Sequence, residues 1–244
     1  MTDTSNERLV LVLNCGSSSI KFAVFEVAID PLPRRPRWNG KVQGIGGPAP
    51  DFGETGVPPF RIPLDAEHPY RGALQFILER IATRLDGRNI CAVAHRVVHG
   101  GSKYFAPVRV DAAVLADLKS YVPLAPLHQP FALEAIDILL RERPEVPQIA
   151  CFDTGFHRTL PQVEQALPLP YDAWQRGLRR HGFHGLSYEY MATALVERHG
   201  EAARGRTIVA HLGSGASLCA MRDLQSIATT LGFSALDGLM LGTR

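Results

Sequence analysis

Two short stretches set glycine and hydroxyl residues at the end of an apolar run. "LNCGSSSIKF" spans residues 13–22, and "HLGSGAS" spans residues 211–217. Gly and Ser in a tight turn leave backbone N–H groups facing outward with hydroxyls beside them, a concavity suited to phosphate oxygens. Lys21 adds a positive charge next to the first turn. A P-loop is not the explanation: the GxxxxGK[ST] spacing is absent and a strand, not a helix, follows. One such hairpin also fits a solvated turn. Two in one chain favour a nucleotide phosphate clamped between two domains.

Other polar residues extend this chemistry. Arg96 lies in an apolar run that ends in "HGG", and Arg244 follows Gly-Thr. An arginine pairs bidentately with a carboxylate or a phosphate. Asp153 ends an apolar run, the strand-end position where ligands collect in open α/β sheets. An Asp there can position hydrated Mg²⁺. His184 is flanked by Phe183 and Gly185 in a glycine-rich stretch. Each has a plainer reading: Arg96 as a surface strand residue, Asp153 as a capping residue, His184 as a loop histidine bonded locally. A zinc site competes weakly. His95 and His99 are four apart, and His181 and His184 three apart, yet neither HExxH nor a cysteine pair accompanies them.

The elements that must position these residues follow from apolar spacing. Residues 9–13 form a continuous apolar run, read as a strand buried on both faces. A second strand covers 20–27. Residues 31–60 are rich in Pro and Gly and read as irregular loops with short strands around Val42 and Phe60. "GIGG" at 44–47 is too isolated for a dinucleotide fingerprint. Leu74, Ile77, Leu78, Ile81 and Leu85 give a helix over 71–85, ended by Asp86-Gly87. A strand runs into "HRVVHGG". Asp111 caps a helix reaching Tyr121. "PLAPLHQP" is a Pro-punctuated loop, and 131–143 is a helix stopped by Pro144. A strand ends at Asp153, and Ser187 caps a helix over 188–199. "TIVAHLGSGASLCAMRD" repeats strand, turn, strand. Residues 11–17 align with 208–214, each an apolar strand, a polar residue, an apolar or small residue, then Gly-Ser. Such self-similarity signals a duplicated unit.

The whole chain narrows the classes. Its 244 residues suffice for one large domain or two ordinary ones, and 45% apolar content supports a substantial core. A net charge of +2 favours neither a nucleic-acid groove nor an anionic membrane surface. The run Arg34, Arg35, Arg37 reads as a solvated loop. No apolar stretch nears the roughly 20 residues of a membrane helix. The N-terminus lacks a signal-peptide pattern. Cys15, Cys91, Cys151 and Cys219 form no CxxC pair, so buried reduced thiols and a cytoplasmic protein are expected.

Seven ordered motifs resemble acetate kinase: "LVLNCGSSSIKF", "HRVVHGG", "PLAPLHQP", "FDTGFH", "GFHG", "HLGSGAS" and "LGFSALDGLMLGTR". The resemblance implies an α/β fold of duplicated actin-like (ribonuclease H-like) ATPase domains, here 1–152 and an incomplete 153–244. It implies ATP, acetate and Mg²⁺ or Mn²⁺, with ADP and acetyl phosphate as products, and a homodimer. By motif, Ser17, Ser19, Lys21, His211, Gly213, Ser214 and Gly215 would meet the nucleotide phosphates, and Asn14 the metal. Arg96, Asp153, His184 and Arg244 would be catalytic, with His128 nearby. Arg96, Val98, Leu127, Phe183 and Ala235 would bind the acid.

The match has departures. Ser214 stands where the family usually has Asn. "HGLSY" stands for "HGTSH", with Leu186 and Tyr188. "GFSALDG" stands for "GFTPLEG", so Ala235 replaces a pocket proline and would widen the acyl pocket toward propionate. The chain stops at Arg244 within a motif, whereas family members continue. The resemblance therefore implies a truncated second domain and a chain poorly active or inactive by itself, or a nucleotide-binding remnant without turnover.

Overall fold

The computed structural model describes residues 8–27, 33–240 and 242. These residues form two compact units. One comprises the described residues up to Arg96, with Val108–Lys119 and Leu127–Ala150; the other comprises Val97–Pro107, Ser120–Pro126 and the described residues from Cys151 onward.

An eight-stranded sheet underlies the first unit. It contains β1 (Arg8–Cys15), β2 (Ser19–Glu26), β3 (Trp38–Gln43), β4 (Asp51–Glu54), β5 (Val57–Arg61), β6 (Asn89–Val97), β7 (Val108–Arg109) and β8 (Gln148–Phe152). Their order is β5-β4-β3-β2-β1-β6-β8-β7. β1 pairs antiparallel with β2 and parallel with β6. Leu9, Leu11, Leu13 and Cys15 are buried, while Val10, Val12 and Asn14 are half-buried. The expected strand buried on both faces is thus a strand with one sealed face, and the other carries Asn14 to an accessible edge.

Helices α1 (Pro69–Ala82) and α3 (Gln129–Glu142) pack on this sheet, with α2 (Ala112–Ser120) between them in sequence. Tyr70, Ala73, Leu74, Ile77 and Ile81 make the buried stripe of α1. Leu133, Ile136 and Leu139 do the same in α3. Each such Leu or Ile contributes about 2 kcal/mol on burial. The proline at the head of each helix costs no intrahelical bond there. Asp111 caps α2 by accepting the Val114 N–H at 2.8 Å.

The short strands expected around Val42 and Phe60 are present as β3 and β5, and β4 joins them, so the region expected to be mostly irregular over 31–60 is largely sheet; residues 31 and 32 lie outside the described residues. The glycines there mark close approach. A Cβ on Gly40 would sit 2.7 Å from both the Gly53 carbonyl and the Phe22 ring. Pro58 and Pro59 fall in β5, the edge strand, where a missing N–H is tolerated. Arg37 of the basic run pairs with Glu26.

The second unit holds a three-stranded antiparallel sheet of β9 (Arg206–Leu212), β10 (Ala216–Arg222) and β11 (Gln225–Thr229), in the order β11-β10-β9. Helix α6 (Gly185–His199) packs on it through Tyr188, Met191, Ala192 and Leu195 against Val209, Cys219 and Met221. Short helices α4 (Gln162–Gln165) and α5 (Tyr171–Gln175) precede α6. Each unit therefore opens a sheet with the same meander: β3-β2-β1 in one, β11-β10-β9 in the other. The cysteines are free; Cys15 and Cys219 are buried, while Cys91 and Cys151 are half-buried. Among the described residues, no helix is long and apolar enough to cross a membrane.

Candidate phosphate and carboxylate site

In the first unit, the β1–β2 register sets Asn14 opposite Lys21. Directly paired residues share a face of the sheet. Arg96 joins them from β6, its Nη1 donating to Asn14 Oδ1 at 3.1 Å. Two cations thus flank one amide on the open face. The turn beyond is closed by Gly16 N–H donating to the Ser19 carbonyl at 2.8 Å. Ser17 and Lys21 are exposed and Ser19 half-buried. His95, one residue before Arg96, points to the opposite face. It is buried, its Nε2–H donates to Gln148 Oε1 at 2.7 Å, and burial pushes its pKa down to about 4.

In the second unit, Asp153 is 2% exposed. Its N–H donates to the Val97 carbonyl at 3.1 Å, and its carbonyl accepts the Gly185 N–H at 2.8 Å. A side chain at Gly185 would collide with that carbonyl, so only glycine lets α6 begin against Asp153. His184 precedes it at φ 60°, an unusual left-handed conformation for a non-glycine residue. Its Nδ1 lies 2.7 Å from Ser217 Oγ. Its ring stacks on His211 with centroids 4.0 Å apart and planes 20° apart. His211 Nδ1 is 3.0 Å from Ser187 Oγ.

The β9–β10 turn mirrors the β1–β2 turn. Cys15 pairs with Ile20, and Leu212 with Ala216. Gly16 and Gly213 each follow the last pair of the incoming strand, and the Gly213 N–H donates to the Gly215 carbonyl at 3.0 Å. The first loop has four residues and the second three, so the aligned sequences hide a one-residue difference. A Cβ at Gly215 would lie 3.1 Å from His184 Nε2, so this glycine leaves room for the imidazole over the turn. Ser214 is exposed, and its carbonyl accepts the Gly242 N–H at 2.8 Å.

Val98 and Phe183 come together with Ala125 and Leu231 in a buried cluster, and half-buried Ala235 packs against it. Leu127 belongs to the first unit and is 67% exposed, and His128 stands at the N-cap position of α3. Arg244 lies outside the described residues.

One reading of the sequence needs correction. Ser187 does not cap α6: the helix starts three residues earlier than expected because Gly185 docks on Asp153, freeing the Ser187 hydroxyl for His211. The histidines weighed weakly as zinc ligands have other partners. His95 bonds Gln148 in the first unit, whereas His99 meets the His181 ring at a centroid distance of 4.4 Å in the second. Among the described residues, no group of three His, Cys, Asp or Glu side chains could hold a metal ion.

Sequence reasoning missed Ser217 and His157 and gave Tyr188 no role. His157 is buried, bonded to Ser226 Oγ at 2.8 Å through Nδ1 and to the Phe183 carbonyl at 2.9 Å through Nε2. It braces the segment that presents His184. A signal existed for Ser217: it shares the buried period-2 face of β10 with Cys219 and Met221, where a hydroxyl needs a partner.

Comparison with known proteins gives the family. The model of the acetokinase family matches residues 9–244. An acetate kinase of Rhodopseudomonas palustris is 46% identical over 240 residues, covering 97% of this chain and 60% of the relative. Among solved structures, Porphyromonas gingivalis acetate kinase superposes with a TM-score of 0.79 at 33% identity. A propionate kinase from Francisella tularensis gives 0.83 at 32%. Both are matched over 97% of this chain and 60% of their own. The chain thus spans about 60% of the length of the relatives it matches, and its α/β architecture is theirs. From the paired meanders to the Asp153–His184 junction, this is a chain that belongs to the acetokinase family.

Proposed function

We propose that this protein transfers the γ-phosphoryl group of ATP to acetate, giving acetyl phosphate and ADP, reversibly. The observation that carries the reading is the junction in the second unit, where buried Asp153, His184 and the glycine turn of β9–β10 meet without a general base being needed. A carboxylate with a pKa of about 4 is already ionised at neutral pH. One acetate oxygen forms the new P–O bond while the bond to the ADP oxygen breaks. What remains is to hold anions together and spread charge, which positioning and positive electrostatics accomplish.

In this reading Arg96 and Arg244 steady the carboxylate and the moving phosphoryl group, and His184 donates to its oxygens. Ser17, Ser19 and Lys21 meet nucleotide phosphate in the first unit, and His211, Gly213, Ser214 and Gly215 do so in the second. Asp153 fits a Mg²⁺ or Mn²⁺ role: Mg²⁺ is commonly held by one or two carboxylates plus substrate phosphates, so a buried carboxylate without a metal cage suits it. Asn14 Oδ1 accepts from Arg96 and keeps a second lone pair for a metal-bound water. Bound there, the ion would neutralise charge on the transferring phosphates. The domains 1–152 and 153–244, a homodimer and a cytoplasmic setting belong to the same reading. The complete gene product, given Mg·ATP, should form ADP only when acetate is added, with acetyl phosphate trapped by hydroxylamine. ATP binding without acetate-dependent ADP would replace the kinase by a nucleotide binder.

One observation favours a broader acid range. Ala235 packs beside Val98 and Phe183, the residues proposed to wall the acyl group. Alanine leaves space that a proline ring would fill, and the propionate kinase named above shares the architecture. A methylene in an apolar pocket is worth about 1–3 kcal/mol. Ala235→Pro should therefore move the propionate-to-acetate ratio of kcat/KM toward acetate by about tenfold. An unchanged ratio removes Ala235 from the specificity argument.

A further inference from the structure

We propose that Tyr188 and Ser217 are positioning residues that fix the neutral tautomer of His184, with the proton on Nε2 over the β9–β10 turn. The inference rests on the phosphoryl-transfer reading for its purpose, and on hydrogen-bond accounting for its content.

The chain of donors has one obligatory start. A buried phenol needs an acceptor for its proton, and the hydrogen bond of the Tyr188 hydroxyl is to Ser217 Oγ. Tyr188 is fully buried, and burial raises its pKa, so the phenol keeps its proton at neutral pH. Its hydroxyl lies 2.5 Å from Ser217 Oγ. The phenolic proton therefore goes to Ser217 Oγ. Ser217 is itself fully buried, and its own proton then points to His184 Nδ1 at 2.7 Å. A ring nitrogen that accepts forces the neutral imidazole to carry its hydrogen on the other nitrogen. That nitrogen is the one poised over Gly215.

Surrounding contacts hold the ring in place. His157 fixes the Phe183 carbonyl immediately upstream. The parallel stack on His211 restricts ring rotation, and Ser187 holds His211. Each link belongs to the second unit. The result is an Nε2–H donor aimed without a charge of its own, suited to a phosphoryl oxygen whose negative charge grows during transfer.

The test reads nitrogen shifts of ¹⁵N-histidine-labelled protein in the absence of substrate, with His184→Gln to assign the resonances. The expected pattern is an acceptor-type Nδ1 and a protonated Nε2 at His184. Ser217→Ala should scramble that pattern and lower kcat by about tenfold, leaving KM for ATP and acetate nearly unchanged. Ser217→Thr, which restores a hydroxyl, should recover the shifts and most of kcat. Tyr188→Phe should give a partial mixture. A wild-type Nδ1–H tautomer, or unchanged shifts in both Ser217→Ala and Tyr188→Phe, overturns the proposal. If Ser217→Ala fails to fold, Tyr188→Phe decides by the same shifts. Expected shifts in a protein that makes no acetyl phosphate would sink the kinase reading and leave the tautomer assignment standing.

Discussion

If the proposed kinase reading holds, Arg96→Ala should lower kcat/KM for acetate-dependent ATP turnover by about 10³-fold or more, the scale of an arginine acting on a phosphoryl transition state. The Arg96 guanidinium donates to Asn14 Oδ1 on the same sheet face as Lys21. Arg96→Lys should recover only a small part, because a lysine point charge cannot span two oxygens in a fork. Asn14→Ala, which removes the brace but keeps the charge, should cost about tenfold. The fold should survive each change. The sealed face of β6 is carried by Val93, His95 and Val97, and Arg96 lies on the other side. Circular dichroism and thermal midpoints close to those of the unaltered protein would show this. Activity of Arg96→Ala within tenfold of the unaltered protein would remove Arg96 from the reacting centre.

How far the sequence carried the argument varied with the kind of physical signal. Helices α1 and α3 were legible because burial of one stripe demands apolar residues at helical spacing, as at Leu74, Ile77 and Ile81. The two glycine hairpins were legible because an apolar strand followed by Gly-Ser has few alternatives. Strand β4 was hidden, and the full extent of β3 and β5 masked, by Gly40, Gly53, Pro58 and Pro59. Those residues read as loop in isolation, yet they answer to the Phe22 ring and to a free sheet edge. β11 was hidden because its turn uses Asp223 and Leu224 at positive φ, with no glycine to announce it. At the candidate site, motif resemblance singled out Arg96, Asp153 and His184 as individual residues. What orients them was not readable. That His95 and Arg96 diverge to opposite faces follows from strand alternation, but which face is core depends on α1 and α3. That Ser217 meets His184 depends on a contact 33 residues distant in sequence. Ser187, a favourable capping residue by type, lost that role to a backbone contact between Gly185 and Asp153 that no local propensity encodes.

Acid should unfold this protein steeply, before its carboxylates are exhausted. Among the described residues, burial lowers four histidines: His95, His157 and His181 to about 4, and His99 to about 3. Secondary influences differ. Gln148 raises His95, the Phe183 carbonyl and Asp153 raise His157, while Arg179 lowers His181 and His181 lowers His99. In the unfolded chain each returns to about 6.5. Above that pH neither state holds these protons, and the stabilising preference for neutral rings is fully present. Between about 6.5 and 4 the unfolded chain binds protons that the folded chain refuses, so stability falls as pH falls. Near pH 5 the difference is about three and a half protons, or about 5 kcal/mol per pH unit. Glu134, whose carboxyl burial raises, acts in the opposite sense, but it is one group. Set against a typical total of about 5–15 kcal/mol, that slope brings unfolding at about pH 4 to 5. Three of the four histidines belong to the second unit, so its amides should lose hydrogen-exchange protection first. His95→Gln, in the first unit, should flatten the slope by about one proton without delaying that loss. Urea midpoints that stay level from pH 7 to pH 5 would mean that the rings titrate alike in both states, and that the buried neutral histidines bracing the His184 segment do not exist in solution.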